Sequence, residues 1–430
     1  MLFQFFFLAG AVSGSTLPTM PPGPPQHLPQ VFGSEYPPFR VVFRNGECDA
    51  DDDTAHRRIN TNKVCYSCFR IPSLVRNPMT GTIFAFAEAR RRELHGVFHG
   101  MVYDASSRCP DMPDTNIAFK RSTDGGQSWS ELRILARVPG RYSAQASPVV
   151  DNVTGMIIVA YNIDPYNIHK AMLINSSDDG QTWSFPRPMV PAQGSNRIIL
   201  STNGARGHVL YSGSGIRLVF PSRLGSLYSD DHGSTWTVGP QADLGEAQIA
   251  QCSSGACGGN NFALLSRGPG RSQPCVFVRF SSDAVHWGQR EGLNLSRYSE
   301  YPQAPGALGV PGALLMTHGG GDGTSLLHGT SSSDVGHGDG NGMDLLWSKD
   351  GRTWQLLRRL WPFTGGYSTM SELEVDSTGA VKSYAVLFEA GGLTEDLDLL
   401  AFQNFTWEGA PTESEALPPQ ASPSGHSVSI

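Results

Sequence analysis

The octapeptide Ser122-Thr-Asp124-Gly-Gly126-Gln-Ser-Trp129 returns as Ser176-Ser-Asp178-Asp-Gly180-Gln-Thr-Trp183 and again as Ser229-Asp-Asp231-His-Gly233-Ser-Thr-Trp236. All three fit Ser-x-Asp-x-Gly-x-Ser/Thr-Trp, at spacings of 54 and 53 residues. Two copies one residue shorter follow, Ser281-Ser-Asp283-Ala-Val-His-Trp287 and Ser348-Lys-Asp350-Gly-Arg-Thr-Trp354. Each copy has the chemistry of a β-hairpin turn. Asp and Ser side chains bond the turn's N–H groups, and Gly takes the positive φ. The Trp then folds back beneath the turn and buries a large area. A period of about 50 residues holds four short strands, a unit that cannot cover its own apolar faces; stacking such units radially into a β-propeller covers them.

The chain between the boxes reads as strands: Gly81-Thr-Ile-Phe-Ala-Phe-Ala87, Gly155-Met-Ile-Ile-Val-Ala-Tyr161 and Ile216-Arg-Leu-Val-Phe220. No segment sustains a 3.6-residue period, so helices are minor. The 49 glycines and 30 prolines suit short strands and tight turns. Length alone suggests two or three domains. Five boxes, with a unit before the first and another after the last, instead give one all-β domain, a six-bladed β-propeller over residues 39–407. Val41-Val-Phe43 is a candidate first strand, and residues 318 to 342 form a Gly/Ser/Asp/His-rich insertion.

The formal charge of −7 leaves no basic footprint for nucleic acid. Residues 1–15 read as a signal peptide, an apolar run from Met1 to Gly10 followed by small residues, although no Lys or Arg precedes it. The run is short for a bilayer, and no later stretch reaches about 18 apolar residues, so no membrane span is expected in the mature chain. The sequons at Asn152, Asn175, Asn294 and Asn404 agree with a secretory route, extracellular or lysosomal. Seven cysteines (Cys48, Cys65, Cys68, Cys109, Cys252, Cys257, Cys275) then favour disulfides with one thiol over, and Cys252 with Cys257 fits a small closed loop. Cys65-x-x-Cys68 lacks a second pair with metal-ligand spacing. Residues 16–38 form a proline-rich leader, Asp49 to Asp53 a solvated acidic loop, and residues 408–430 a polar tail expected to be disordered.

Arg70 stands between Phe69 and Ile71. An unpaired guanidinium out of water costs several kcal/mol, so this residue is paired or faces a wet cavity. Pro72 biases Ile71 towards extended backbone, which sets Arg70 near the start of a strand. Taken alone, an edge-strand arginine paired with a surface carboxylate fits as well.

With Phe69-Arg70-Ile71-Pro72 ahead of them, the boxes read as Asp-boxes, and the chain resembles the exo-α-sialidases over roughly residues 65 to 392. The lysosomal and secreted branch is the most similar. The resemblance implies a six-bladed propeller that removes terminal α-linked sialic acids from sialylated glycans with retention of configuration, using neither cofactor nor metal. Arginines hold the substrate carboxylate, a tyrosine assisted by a glutamate attacks the anomeric carbon, and an aspartate serves as acid and base.

On that resemblance the first arginine is Arg70, and Glu88-Ala-Arg90 supplies Arg90 as a second cation, a structural salt bridge being the other reading of Arg90. The acid, six residues before the strand Ile117-Ala-Phe-Lys-Arg121, is Asp111, with Asp114 and Asp104 in the same loop as alternatives. Gly245-Glu246-Ala-Gln-Ile249 and Phe262-Ala-Leu-Leu-Ser-Arg267 carry over Glu246 and Arg267 together. Gly366-Tyr367-Ser368 supplies the nucleophile Tyr367, and Ala385-Val-Leu-Phe-Glu389 supplies Glu389 to orient Arg70. A neutral phenol attacks beside the substrate's own carboxylate without the repulsion an anionic nucleophile would meet, and Glu246 takes its proton.

One position departs from the pattern. Gly340 falls where the family has a third arginine, and no Arg occurs between Arg297 and Arg352. Loss of one charge-assisted hydrogen bond weakens binding by about ten- to 150-fold. Either Arg90 or a histidine of the insertion (His318, His328, His337) compensates, or the ligand is changed or the enzyme weakened. The same histidines and aspartates also read as a metal site, although Gly-rich loop composition explains them better. Two rivals follow: a propeller that transfers sialic acid or acts on another nonulosonic sugar, and a carbohydrate-binding propeller with weakened chemistry.

Overall fold

Each apolar run pairs with the next run in sequence, so antiparallel hairpins build most of the chain. The computed structural model describes residues 38–49, 52–53, 58–59, 64–91, 96–98, 101–103, 109, 114–164, 170–192, 198–201, 205–212, 215–242, 245–252, 257, 260–267, 276–293, 314–317, 325–331, 343–348, 350–361, 365–377, 381–391 and 397–406. The architecture is an all-β β-propeller.

The strands are β1 (Arg40–Arg44), the short hairpin β2 (Asp52–Asp53) and β3 (Arg58–Ile59), then β4 (Cys68–Arg76) and β5 (Ile83–Arg90). A second hairpin, β6 (Gly96–Phe98) and β7 (Met101–Tyr103), precedes β8 (Asn116–Ser122) and β9 (Arg133–Ala136). Next come β10 (Ser143–Val150), β11 (Ile157–Ile163), β12 (Lys170–Ser176), β13 (Arg187–Pro188), β14 (His208–Ser212), β15 (Gly215–Ser222), β16 (Gly225–Ser229) and β17 (Thr237–Val238). They are followed by β18 (Ala247–Gln251), β19 (Phe262–Arg267), β20 (Val276–Ser281), β21 (Glu291–Leu293), β22 (Leu314–Thr317), β23 (Ser325–Ser331), β24 (Met343–Ser348) and β25 (Trp354–Trp361). The last three are β26 (Gly365–Val375), β27 (Val381–Gly391) and β28 (Leu397–Thr406).

Four-stranded sheets form in the orders β4-β5-β8-β9, β10-β11-β12-β13, β14-β15-β16-β17, β18-β19-β20-β21, β22-β23-β24-β25 and β1-β28-β27-β26. The N-terminal strand β1 thus completes the C-terminal sheet, with Arg40 opposite Phe402. First strands of neighbouring sheets touch: β4 meets β10, β10 meets β14, β18 meets β22, and β26 meets both β22 and β4. Apolar clusters fill the spaces between sheets. Phe84, Phe86 and Phe119 of one sheet pack with Val150, Ile157, Tyr161 and Trp183 of the next, and Val149, Ile158 and Leu173 pack with Leu218, Phe220 and Trp236.

The boxes lie at the turns between third and fourth strands. In the second, the Ser176 hydroxyl donates to Asp178 at 2.9 Å and accepts the Gly180 N–H, while Thr182 donates its hydroxyl to Asp178 at 2.6 Å. The box glycine has a second duty. A Cβ on Gly180 would lie 2.4 Å from Phe84 Cε1, and one on Gly233 would lie 2.5 Å from Ile158 Cδ1, both on the preceding sheet. A positive φ and a close approach together disfavour any side chain there. The residue before it reaches the preceding sheet too: Asp179 accepts from Asn77, Thr80, Thr82 and Arg121, and His232 Nδ1 sits 2.7 Å from the buried Asp151.

Three expectations are corrected. Residues 318–342 are not all insertion: Ser325–Ser331, with His328, is strand β23, paired with β22 and β24. Asp49 is not solvated: it is buried, accepts the Val64 N–H at 2.7 Å and pairs with Arg137 at 2.5 Å, because a disulfide between Cys48 and Cys65 folds this segment back on the sheet. Ile71 is not extended but has φ +53°, at a bulge between Arg70 and Ser73. The other disulfides are Cys68–Cys109 and Cys252–Cys257. Residues 1–37, which hold the signal peptide and the leader up to Pro37, the tail, Asp104, Asp111, Asn294, Cys275, His318, His337 and Gly340 lie outside the described residues. Among the described residues no helix is long and apolar enough to cross a membrane.

Candidate active site

Three first strands start irregularly, and these starts converge. A β-branched residue at positive φ is strained, and such strain is held in place only where surrounding bonds fix it. At Ile71 those bonds come from Glu389 on β27. Its Oε1 accepts the Ile71 N–H at 2.8 Å and the Arg70 Nε–H at 2.7 Å; its Oε2 accepts from Arg70 Nη2 at 3.0 Å and from the Tyr367 N–H at 2.9 Å. Glu389 is fully buried, whereas the Arg70 side chain keeps 22% of its exposure. Burial works against the Arg70 charge, but the Glu389 carboxylate outweighs it and the guanidinium pKa is raised. A fork-to-fork pair of this kind fixes the arginine plane as well as its charge.

Gly366 explains how the strands approach so closely. A Cβ there would lie 2.0 Å from Glu389 Oε2. A bulge between Gly365 and Ser368 then turns Tyr367 out of the ladder. Its ring stands 5.7 Å from Arg70 Cζ, and its hydroxyl donates to Glu246 Oε1 at 3.0 Å. Arg70, Glu246, Tyr367 and Glu389 therefore form one connected group drawn from three sheets.

Glu246 precedes β18, and the buried Ser201 holds the chain on both sides of it. The Ser201 hydroxyl accepts the Ala247 N–H at 2.7 Å and contacts the carbonyls of Gly245 (3.3 Å) and Ala247 (3.1 Å). Register places Ala247 opposite Ser266, so Glu246 and Arg267 occupy adjoining strand ends.

Arg90 stands on the same rim in a different setting. It is 1% exposed, with Nε and Nη2 donating to Glu88 Oε2 at 3.0 and 2.6 Å and Nη1 donating to the Cys109 carbonyl at 2.8 Å. Glu88 also accepts the Tyr142 hydroxyl and, on Oε1, the N–H of Gln145, another residue at positive φ (+52°) beside a bulge. Arg90 thus has a structural ion pair, and its charge still acts on Arg70. Asp114 accepts the Gly140 N–H on its carboxylate. The supporting groups Ser201, Tyr142, Gln145 and the Ile71 N–H carry no signal in the sequence: Ser201 and Tyr142 act through hydroxyls that lie in no motif, and Gln145 and Ile71 through backbone N–H groups that any residue but proline supplies.

The arrangement can hold an anion on Arg70 below a phenol whose proton points at a carboxylate. Among the described residues no group of three or more His, Cys, Asp or Glu could hold a metal ion.

A family model described as a BNR repeat-like domain matches residues 101–382. A sialidase of Micromonospora viridifaciens is 26% identical over 379 residues, 76% of this chain and 53% of that protein. The chain spans about half the length of this curated relative. Among solved structures, the Hadza microbial sialidase Hz136 superposes with a TM-score of 0.53 at 20% identity, covering 79% of this chain and 66% of that one. A leech intramolecular trans-sialidase, complexed with 2,7-anhydro-Neu5Ac, gives a TM-score of 0.55 at 16% identity, covering 85% and 70%. At these identities the structures speak for the fold.

Proposed function

Since the chain belongs to the BNR repeat-like family, we propose that it is an exo-α-sialidase, a glycoside hydrolase that removes terminal α-linked sialic acids from sialylated glycans with retention. The observation that carries this reading is the Tyr367 hydroxyl donating to Glu246 at 3.0 Å beside an Arg70 locked on Glu389. Arg70 receives the sialic acid carboxylate, joined by Arg267, while Arg90 adds positive potential from within the wall. Tyr367 attacks the anomeric carbon as Glu246 takes its proton. Phenol is a far weaker acid than a carboxylic acid, so the transfer is concerted with attack rather than complete before it. Asp111 protonates the leaving oxygen, then activates the water that releases the product. The same reading takes the sheets as six blades closed by β1, and sends the protein along the secretory route to the exterior or the lysosome, most like that branch of the family. With Gly340 in place of the third arginine, Arg70 carries more of the carboxylate contact than it would in a full triad.

The test is a fluorogenic α-sialoside offered to the purified chain between pH 4 and 7. Turnover is expected, with the α-anomer released first, and Tyr367→Phe should lower kcat on the order of 10³-fold or more. No turnover by the parent chain, or unchanged turnover in the variant, overturns the reading. The leech neighbour is a trans-sialidase, which favours transfer as the second reading. Products analysed with and without a galactoside acceptor separate them: free sialic acid from hydrolysis, a sialylated galactoside from transfer to the acceptor, and the 2,7-anhydro sugar from intramolecular transfer.

A further inference from the structure

The first strands β4, β10, β18 and β26 begin on the side of the candidate site and run to a second opening. Their far ends (Val75 and Arg76 of β4, Val149 and Val150 of β10, Ala250 and Gln251 of β18, Glu372 and Val375 of β26) meet the segment Arg206–Val209 around a cavity of ≈ 230 Å³. Arg76 lies six residues beyond Arg70 on the same strand, about 15–20 Å at roughly 3.3 Å per residue less the bulge. The cavity is therefore separate from the site around Tyr367.

Its charges are unevenly satisfied. Arg206 donates to both oxygens of Glu372, at 2.9 and 3.0 Å, and contacts the Ser371 hydroxyl at 3.2 Å. Arg76 by contrast makes no hydrogen bond or ion pair with any described residue, and the nearby carboxylates of Glu372 and Glu374 do not outweigh its burial, which pulls its pKa down. His208 is 8% exposed, and its Nε2 has no hydrogen-bond partner among the described residues. Burial, with Arg206 adding to it, pushes the imidazole down to about 3, so it is neutral near pH 7. The remaining wall is mostly aliphatic: Val75, Val149, Val150, Val209, Val375 and Ala250.

We infer that this cavity is a second ligand site, for a small carboxylic acid with a branched apolar body. The carboxylate takes a parallel pair of Arg76 N–H donors, none of which bonds a described residue, in the fork geometry that suits a carboxylate, and the body displaces water from the valines. Inorganic phosphate would leave those walls wet and bring extra negative charge towards Glu372 and Glu374. A sugar acid would bring hydroxyl groups that the valines cannot satisfy.

Titration of the full chain with 4-methylpentanoate, followed by saturation-transfer NMR, tests this directly. Saturable binding is expected, unchanged in Tyr367→Phe and weakened about tenfold or more in Arg76→Gln. Arg76→Lys, which keeps the charge but not the fork, should fall between parent and Gln, and it serves if the Gln variant does not fold. 4-Methylpentanol and inorganic phosphate should each bind at least about tenfold more weakly than the acid. No saturable binding by the parent chain, equal binding by both folded Arg76 variants, or phosphate binding as tightly as the acid overturns the proposal.

Discussion

At the box end of the blades, Asp178 is held by Ser176 and Thr182, two and four residues away. At the site end, Glu389 is held by Arg70 and Ile71 across 319 and 318 residues, and by Tyr367 across 22. Both carboxylates are hydrogen-bonded on both oxygens, but they depend on different things. The Asp178 cluster closes within its own turn and has a counterpart in each copy, so one lost contact there leaves the other turns intact. The site exists only when distant strands have met, and its members hold one another in place. A defect at the two ends should therefore differ in size and in how far it spreads.

Arg70→Ala should give the largest loss. Removing one partner of a buried ion pair leaves the other charge stranded and costs about 3–5 kcal/mol. Because the Arg70 side chain is partly exposed while Glu389 is fully buried, the lower end, about 3 kcal/mol, is expected by urea denaturation. Sialoside binding should be lost with it. Thr182→Ala, which removes one box hydroxyl, should cost about 1 kcal/mol. Equal costs for the two variants would break the distinction between the ends.

Gly233→Ala asks whether the box end is as self-contained as the bonds within its turn suggest. Its φ is +82°, and the added Cβ meets Ile158 Cδ1 on the neighbouring sheet, whereas Gly46, at φ +85°, has nothing within 4 Å. Gly46→Ala should cost about 1 kcal/mol from backbone strain alone, and Gly233→Ala about 2–3 kcal/mol because overpacking adds to it. Adding Ile158→Val, which removes the clashing carbon, should recover part of the difference. If the two glycine variants cost the same, the contact between sheets contributes nothing at that turn.

This contrast also explains how much could be read from the residues. The box pattern carries its own geometry, since Ser, Asp, Gly and Trp are the groups that close the turn, and repetition raised it above chance. From it came the propeller and the box turns, while the apolar runs between boxes marked the strands around Gly81–Ala87 and Ile216–Phe220. The site end has no period. Arg70 stood out locally as a guanidinium between apolar neighbours, but Glu246, Tyr367, Glu389 and the role of Arg70 among them entered only through resemblance to a family, because nothing in the residues near Arg70 indicates a partner 319 positions later. Local rules even misled there: Pro72 argues for an extended Ile71, and the Glu389 carboxylate holds that residue at φ +53° instead. Asp49 failed for a similar reason, an acidic run reading as solvated until a disulfide and Arg137 claim one member of it.

The smallest expected effect is a pH dependence confined to the box end. The Ser128 hydroxyl and N–H, with the Ser122 hydroxyl, hold the Asp124 carboxyl down at about 2. A folded-state pKa below the usual carboxylate value means that the carboxylate form is the one the fold stabilises. Its contribution is complete above about pH 4, and it fades as pH falls through about 2. Asp124→Asn lacks that contribution at every pH. Melting temperatures of parent and variant should therefore differ by a constant amount from neutral pH down to about pH 4, then converge towards pH 2. Because the bonds run to hydroxyl and amide groups rather than to a cation, added salt should leave the difference unchanged. A gap that widens on acidification, or that closes with salt at neutral pH, would mean that a distant charge holds Asp124. The box end would then depend on long-range partners as the site end does.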